Sequence, residues 1–198
     1  HAGLAPEKGL SASMIASLAL ADAKNSGWFG KIQKGNKNGT SNIGIFGGKN
    51  GTSAGQSPNT VTEYTYIKGE SRSYDQSFVS EITDAFENSF KKICDQYQND
   101  DGEKPKLTFK RHTDYYSFKL SDEEKAVMIA KDKVNKLGLE PKLVNISGGF
   151  DANWLIKKDI PTITYGAGHN YCHTTGEFVL INDYYNACSL SLLLAQEG

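Results

Sequence analysis

The sequence predicts an α/β chain in two parts: residues 1–117 as a two-layer sandwich, and residues 118–198 as an alternation of strands and helices. Three observations lead there. The first part reads as helix, strand, strand, helix, strand, which lacks only a leading strand to be a βαββαβ sandwich with both helices on one face of an antiparallel sheet. The second part alternates short β-rich runs with helical stretches, the pattern of parallel strands joined by crossovers. Its two or three strands are too few for an independent sheet, so it is expected to be the final third of a larger α/β domain.

The elements follow in order. A helix over residues 7–25 begins at Pro6, carries Met14, Leu18 and Ala21 at helical spacing, and stops at Gly27. A polar connection over 31–40 leads to β-rich runs at 42–46 and 60–67, which read as an antiparallel pair joined by a long Gly/Asn/Ser loop. The Gly47-Gly48-Lys49 in that loop has the wrong spacing for a phosphate loop. Ile43 stands where a glycine is needed and Asn50 where Ser or Thr is needed. Next, Phe78, Ile82, Ala85, Phe86, Phe90, Ile93, Cys94 and Tyr97 form an apolar stripe at three- and four-residue steps, so a second helix buries this face and Cys94 belongs to the core. Residues 99–103 end it. A strand is expected over 107–116, with His112 on its solvated face.

Ser121-Asp122-Glu123-Glu124 marks the start of a third helix, closed by Gly138 ahead of Pro141. Beyond it come a strand over 142–146, a Gly148-Gly149 turn, and a helix over 152–158 with Asp151 as its N-cap. A strand follows at 161–165, then a Gly166-Ala167-Gly168 turn, a short candidate strand at 178–180 and a last helix over 183–196.

Composition narrows the function classes. A formal net charge of −1 and a pI near 6.5 supply no electrostatic footprint for nucleic acid or an anionic membrane. No apolar run is long enough to span a bilayer, and no secretory signal pattern is present. Three widely spaced cysteines argue against a disulfide framework and against a Cys-rich zinc site, so a cytoplasmic setting is expected. The sequons at Asn38, Asn50 and Asn145 then read as chance, Asn145 lying in an expected buried strand. The chain starts at His1 without methionine, so an upstream part is expected to be missing.

Chemistry concentrates in residues 147–177, where glycine turns, His169, His173 and Glu177 fall within one span. No HExxH motif occurs among the four histidines. A histidine in a loop beyond a sheet strand is where α/β enzymes place ligands and catalytic groups. Glu177, four residues on, could orient the His173 ring from behind or hold the loop. On spacing alone, a surface histidine bonded to a loop carbonyl is the better reading of His173, and His169 and His112 are read as surface residues too.

His1-Ala2-Gly3 with Pro6 and Gly9, Asn42-Ile43-Gly44, Arg72-Ser73 before Asp75, Gly148-Gly149-Phe150-Asp151-Ala152-Asn153, and His173 with Glu177 stand in a fixed order along the chain. With these motifs in this order, the chain resembles the C-terminal half or more of the co-catalytic zinc exopeptidases that include peptidase T, glutamate carboxypeptidase and aminoacylase. SGGFDANWL and HAGLAPEKG are most similar to the peptidase T-like tripeptide aminopeptidases.

The resemblance implies that residues 1–117 are a lid, or dimerisation, domain whose first strand is missing, and residues 118–198 the C-terminal segment of the catalytic domain. The parent protein is then a metallo-aminopeptidase that hydrolyses short peptides with metal-activated water, using zinc as cofactor at two ions per intact active site. It implies His173 as a metal ligand, and His1 as a catalytic group that stabilises the carbonyl oxygen. Arg72 would hold a substrate carboxylate, although a salt bridge to Asp75 or Glu70 explains it nearly as well. Gly148 and Gly149 would line the substrate pocket, and turn geometry alone is the competing explanation. The other ligands and the general base lie outside this chain, so the isolated fragment is expected to be inactive. A homodimer through the lid is also implied. The alternative is a non-catalytic interaction module derived from the peptidase.

Overall fold

The computed structural model describes residues 1–146 and 148–196. It is a mixed α/β structure with small antiparallel sheets, dividing into one compact unit of His1–Thr113 and a second from Asp114 onward. No helix among the described residues is long and apolar enough to cross a membrane.

The first unit contains α1 (Ala12–Asn25), β1 (Gly30–Lys34), β2 (Lys37–Gly47), β3 (Tyr66–Arg72) and α2 (Gln76–Gln96). The strands pair antiparallel in the order β1-β2-β3. Its core is the predicted α2 stripe, Phe78, Ile82 and Phe86, packed with Ala23 of α1 and Ile32 of β1. Full burial of a side chain such as Phe78 contributes about 1.5–3 kcal/mol. Ile93 continues the stripe against Ile15 and Ala19, with Cys94 packed beside it, and burial raises the Cys94 thiol above its ordinary pKa.

Several elements differ from expectation. The first helix is divided: Pro6–Lys8 is a single 3-10 turn, and α1 starts at Ala12, where the Ser11 hydroxyl accepts the Met14 N–H at 3.4 Å. Its buried face is Ile15, Ala16, Ala19 and Ala23, whereas Met14 and Leu18 are exposed. The polar stretch read as a connection is the β1–β2 hairpin. Gly35, with φ +61°, turns it, and only Ile32 is buried along β1, so apolar content left no trace of it. β3 begins at Tyr66 and not at position 60, and Gly44 falls within a bulge of β2 between Ile43 and Ile45.

Residues 107–116 form no ladder. Half-buried Pro105, Leu107 and Phe109 alternate with exposed Lys106, Thr108 and Lys110, so the side-chain alternation of a strand survives without its hydrogen bonds. The stretch is held instead through side chains. Phe109 packs on the core, and Arg111 bonds Asp84 at 2.5 Å and also Glu87, both on α2. The leading strand, expected to be missing, would precede α1, and residues 1–11 contain none.

The second unit contains α3 (Lys125–Lys136), α4 (Asp151–Ile156), β4 (His169–Asn170), β5 (Phe178–Val179) and α5 (Ile181–Ala195). The expected parallel strands at 142–146 and 161–165 are not in ladders, and the two-stranded β4–β5 sheet is antiparallel. A β-rich run becomes a strand only where a neighbour offers free N–H and C=O groups, and among the described residues none pairs with these runs. Leu143, Val144 and Ile146 are exposed, and so is Asn145, which overturns the reading of a buried strand there. Asp151 is the first residue of α4 and not its N-cap, and the helix ends at Ile156, before a left-handed Asp159 at φ +59°. Ser121 accepts the Glu123 N–H at 3.2 Å in a turn that precedes α3, so the capping signal lies one turn ahead of the helix.

Candidate functional site

His1, in the first unit, is exposed but held by its backbone. Its carbonyl accepts the N–H groups of Leu4 and Ala5, each at 3.1 Å, and the Ala2 N–H donates to the Asn59 carbonyl at 2.8 Å. The ring is restrained separately, since the Gly3 N–H donates to Nδ1 at 3.1 Å.

Arg72 ends β3. Its Nη2 donates to Glu70 Oε2 at 2.7 Å, two residues back on the same face of the strand. Of the two acidic partners considered, the pair is therefore with Glu70. Asp75 is occupied as the N-cap of α2, with Oδ1 accepting the N–H of Ser77 at 2.8 Å and of Phe78 at 3.3 Å. These bonds, led by the Ser77 hydroxyl, hold the Asp75 carboxyl below the usual range. Ser73 completes the connection, its hydroxyl donating to the Asn38 carbonyl at 2.6 Å and accepting the Asp75 N–H at 3.0 Å. The Arg-Ser-x-Asp pattern is thus a strand-to-helix corner that fixes where Arg72 leaves the sheet.

In the second unit, neither Gly148 nor Gly149 has the left-handed φ that would demand glycine. An added Cβ would lie 2.5 Å from the Tyr115 ring at Gly149 and 2.6 Å from the Phe150 ring at Gly148, so a side chain at either position would displace the outer end of that ring. Asn153, buried in the first turn of α4, clamps this corner. Its Oδ1 accepts the Phe150 N–H at 2.8 Å and its Nδ2 donates to the Tyr116 carbonyl at 2.8 Å. Both contacts to residues 115 and 116 are distant in sequence, which is why sequence reasoning assigned neither.

β4 and β5 make a hairpin whose loop carries His173 and Glu177. Gly168 sets its base. It has φ +82°, its carbonyl accepts the Leu180 N–H at 3.0 Å, and a Cβ there would fall 2.9 Å from both the Leu180 oxygen and Asp183 Cβ. Within the loop, Thr174 bonds back to the Tyr171 carbonyl through its N–H at 3.2 Å and its hydroxyl at 2.8 Å. His173 adopts φ +65°, a left-handed conformation uncommon for a residue with a side chain. Its N–H donates to Glu177 Oε2 at 3.3 Å, so Glu177 holds the loop through the backbone. Such local strain is found disproportionately at functional sites. His169 lies in β4, opposite Val179, and is exposed.

His173 and Glu177 are the two predicted site residues joined by a hydrogen bond. His1 and Arg72 belong to the first unit and the other four to the second. The donor set does not make a metal centre by itself. Among the described residues, no three His, Cys, Asp or Glu side chains come together to hold an ion. A zinc site built on His173 would need donors from elsewhere, so no hydrolytic step is derived from this chain alone.

No family model matches the chain. An uncharacterised Bacillus subtilis protein, YqjE, is 30% identical over all 198 residues, which span 48% of its own length. Peptidase T of the same organism is 25% identical over 111 residues, 55% of this chain and 27% of that protein. The crystal structure of aminopeptidase PepT from Bacillus cereus superposes with a TM-score of 0.72 at 29% identity, covering 98% of this chain and 47% of that one. The chain is peptidase T-like.

A tripeptidase structure from Staphylococcus aureus agrees, with a TM-score of 0.70 at 28% identity over 98% of this chain and 46% of the other. The peptidase T-like chain therefore spans about half the length of its full-coverage relatives, and the match falls in their C-terminal part. Its mixed α/β architecture is that of a partial peptidase structure.

Proposed function

We propose that this chain is part of a zinc-dependent aminopeptidase that hydrolyses short peptides with metal-activated water. The observation that carries the reading is the similarity over 98% of the chain to an aminopeptidase PepT structure, at 29% identity and a TM-score of 0.72. In this reading His173 supplies one metal ligand, with Glu177 fixing the loop that presents it. Arg72 holds a substrate carboxylate, Gly148 and Gly149 line the peptide site, and His1 donates a hydrogen bond to the scissile carbonyl oxygen, where charge develops during water attack. The bound metal supplies the Lewis acidity and the nucleophilic water. The unit of His1–Thr113 serves as the dimerisation lid.

The test is hydrolysis of di- and tripeptides by the whole protein that carries this chain, with and without added zinc after chelation. Turnover that depends on zinc and disappears in His173→Ala is the expected result. Full turnover in that variant removes His173 from the mechanism. The isolated 198-residue chain is expected to show none, because its described residues do not assemble a metal centre.

A further inference from the structure

We propose that Gly3 is a positioning residue for His1, fixing both the tautomer and the direction of its ring. Two independent observations converge on it. The Gly3 N–H donates to His1 Nδ1 at 3.1 Å. A neutral imidazole has one donor and one acceptor nitrogen, so an acceptor at Nδ1 places the proton on Nε2. The second observation is steric. A side chain at position 3 would bring its Cβ within 3.3 Å of His1 Cε1 and 3.5 Å of Nδ1, so the first of these contacts would be tight and the ring would have to shift by a few tenths of an ångström.

The frame beneath the ring is fixed as well. The His1 carbonyl is engaged by Leu4 and Ala5, and the neighbouring Ala2 N–H is anchored on Asn59, a residue distant in sequence. With the backbone and one ring nitrogen both held, Nε2–H is left as an exposed donor of set direction. A preorganised donor of this kind stabilises an oxyanion without having to reorient during the reaction. Gly3 touches no substrate itself and acts through His1. The inference rests on the reading of His1 as the carbonyl donor, and its tautomer can be measured without any turnover.

The experiment uses the whole protein labelled with 15N-histidine, at about pH 8.5, where an ordinary imidazole is neutral. His1→Gln identifies the His1 resonances. A single Nε2–H tautomer is expected in the unmutated protein, and Gly3→Pro, which has no N–H, should shift the population toward Nδ1–H. In peptide hydrolysis, Gly3→Pro should lower kcat about tenfold with KM unchanged, as for a donor that acts in the transition state. An Nδ1–H or mixed ring in the unmutated protein overturns the proposal whether or not the variant folds. So does a Gly3→Pro ring indistinguishable from the unmutated one. If His1→Gln keeps full turnover, the catalytic reading of His1 fails, and with it Gly3's role as a positioning residue, even where the tautomer is as expected.

Discussion

The His173 N–H donates to Glu177 Oε2 at 3.3 Å, so the carboxylate braces the backbone of the residue proposed as metal ligand. His173 sits in the left-handed region, at φ +65°, and that conformation persists only if its surroundings over-determine it. His173→Ala is expected to lower peptide turnover by more than about 100-fold, because it deletes the proposed direct ligand. Glu177→Gln, which keeps an acceptor oxygen but loses the charge, should fall within the roughly 10–100-fold range of outer partners. Zinc content and kcat/KM of the two variants in the whole protein check the order.

Gly168→Ala tests the hairpin base. The substitution meets both a left-handed φ of +82° and a backbone contact of 2.9 Å with the Leu180 oxygen, neither of which a flexible side chain can relieve. A loss of more than about 1 kcal/mol is expected by urea unfolding. If the β4–β5 loop presents His173, zinc affinity should fall with it.

Arg72 is proposed to hold a substrate carboxylate. Its exposed pair with Glu70 contributes about 0–1 kcal/mol. Arg72→Ala should raise KM for peptides with a free C-terminal carboxylate. Amidated peptides, which lack that carboxylate, should show no such change.

Acid should destabilise the first unit. The Asp22 carboxyl is held low chiefly by its bond to Lys92 and then by Ser89, and Asp75 chiefly by the Ser77 hydroxyl. A carboxyl depressed in the folded state stabilises above its unfolded pKa, near 3.9, and that contribution is lost as pH falls through the lower folded value. The urea midpoint should be flat from about pH 7 to 5 with respect to these groups and fall below about pH 4. Asp22→Asn with Asp75→Asn should flatten the acid slope, and asparagine at position 75 retains the helix cap.

How much the sequence disclosed depended on how local each cause was. The α2 stripe from Phe78 to Ile93 was readable because periodicity acts within a few residues, whereas the equally local Asp75 cap was read only as a possible partner of Arg72. The His173 and Glu177 spacing was readable for the same reason. The β1–β2 hairpin had a local signal, Gly35-Asn36 between two runs, but it was masked by polar strands that bury only Ile32. The runs at 107–116, 142–146 and 161–165 have the composition of strands, yet a ladder is a property of two segments and, among the described residues, none of them pairs with another segment. The contact between Gly149 and Tyr115, and the reach of Asn153 to Tyr116, join residues far apart in the chain and leave no local pattern.

The β1-β2-β3 order of the larger sheet matches the order of the strands along the chain. Every strand pairing in that sheet is consequently made between successive segments, and the tight turn at Gly35 brings β1 and β2 together at small entropic cost. Contacts of short sequence separation form early and fast, on the microsecond scale for a hairpin. The packing of α1 against α2, through Ala19 and Ile93, spans the whole sheet and must come later. During synthesis the meander can thus assemble as soon as β3 has emerged, providing the surface on which Phe78, Ile82 and Phe86 then condense.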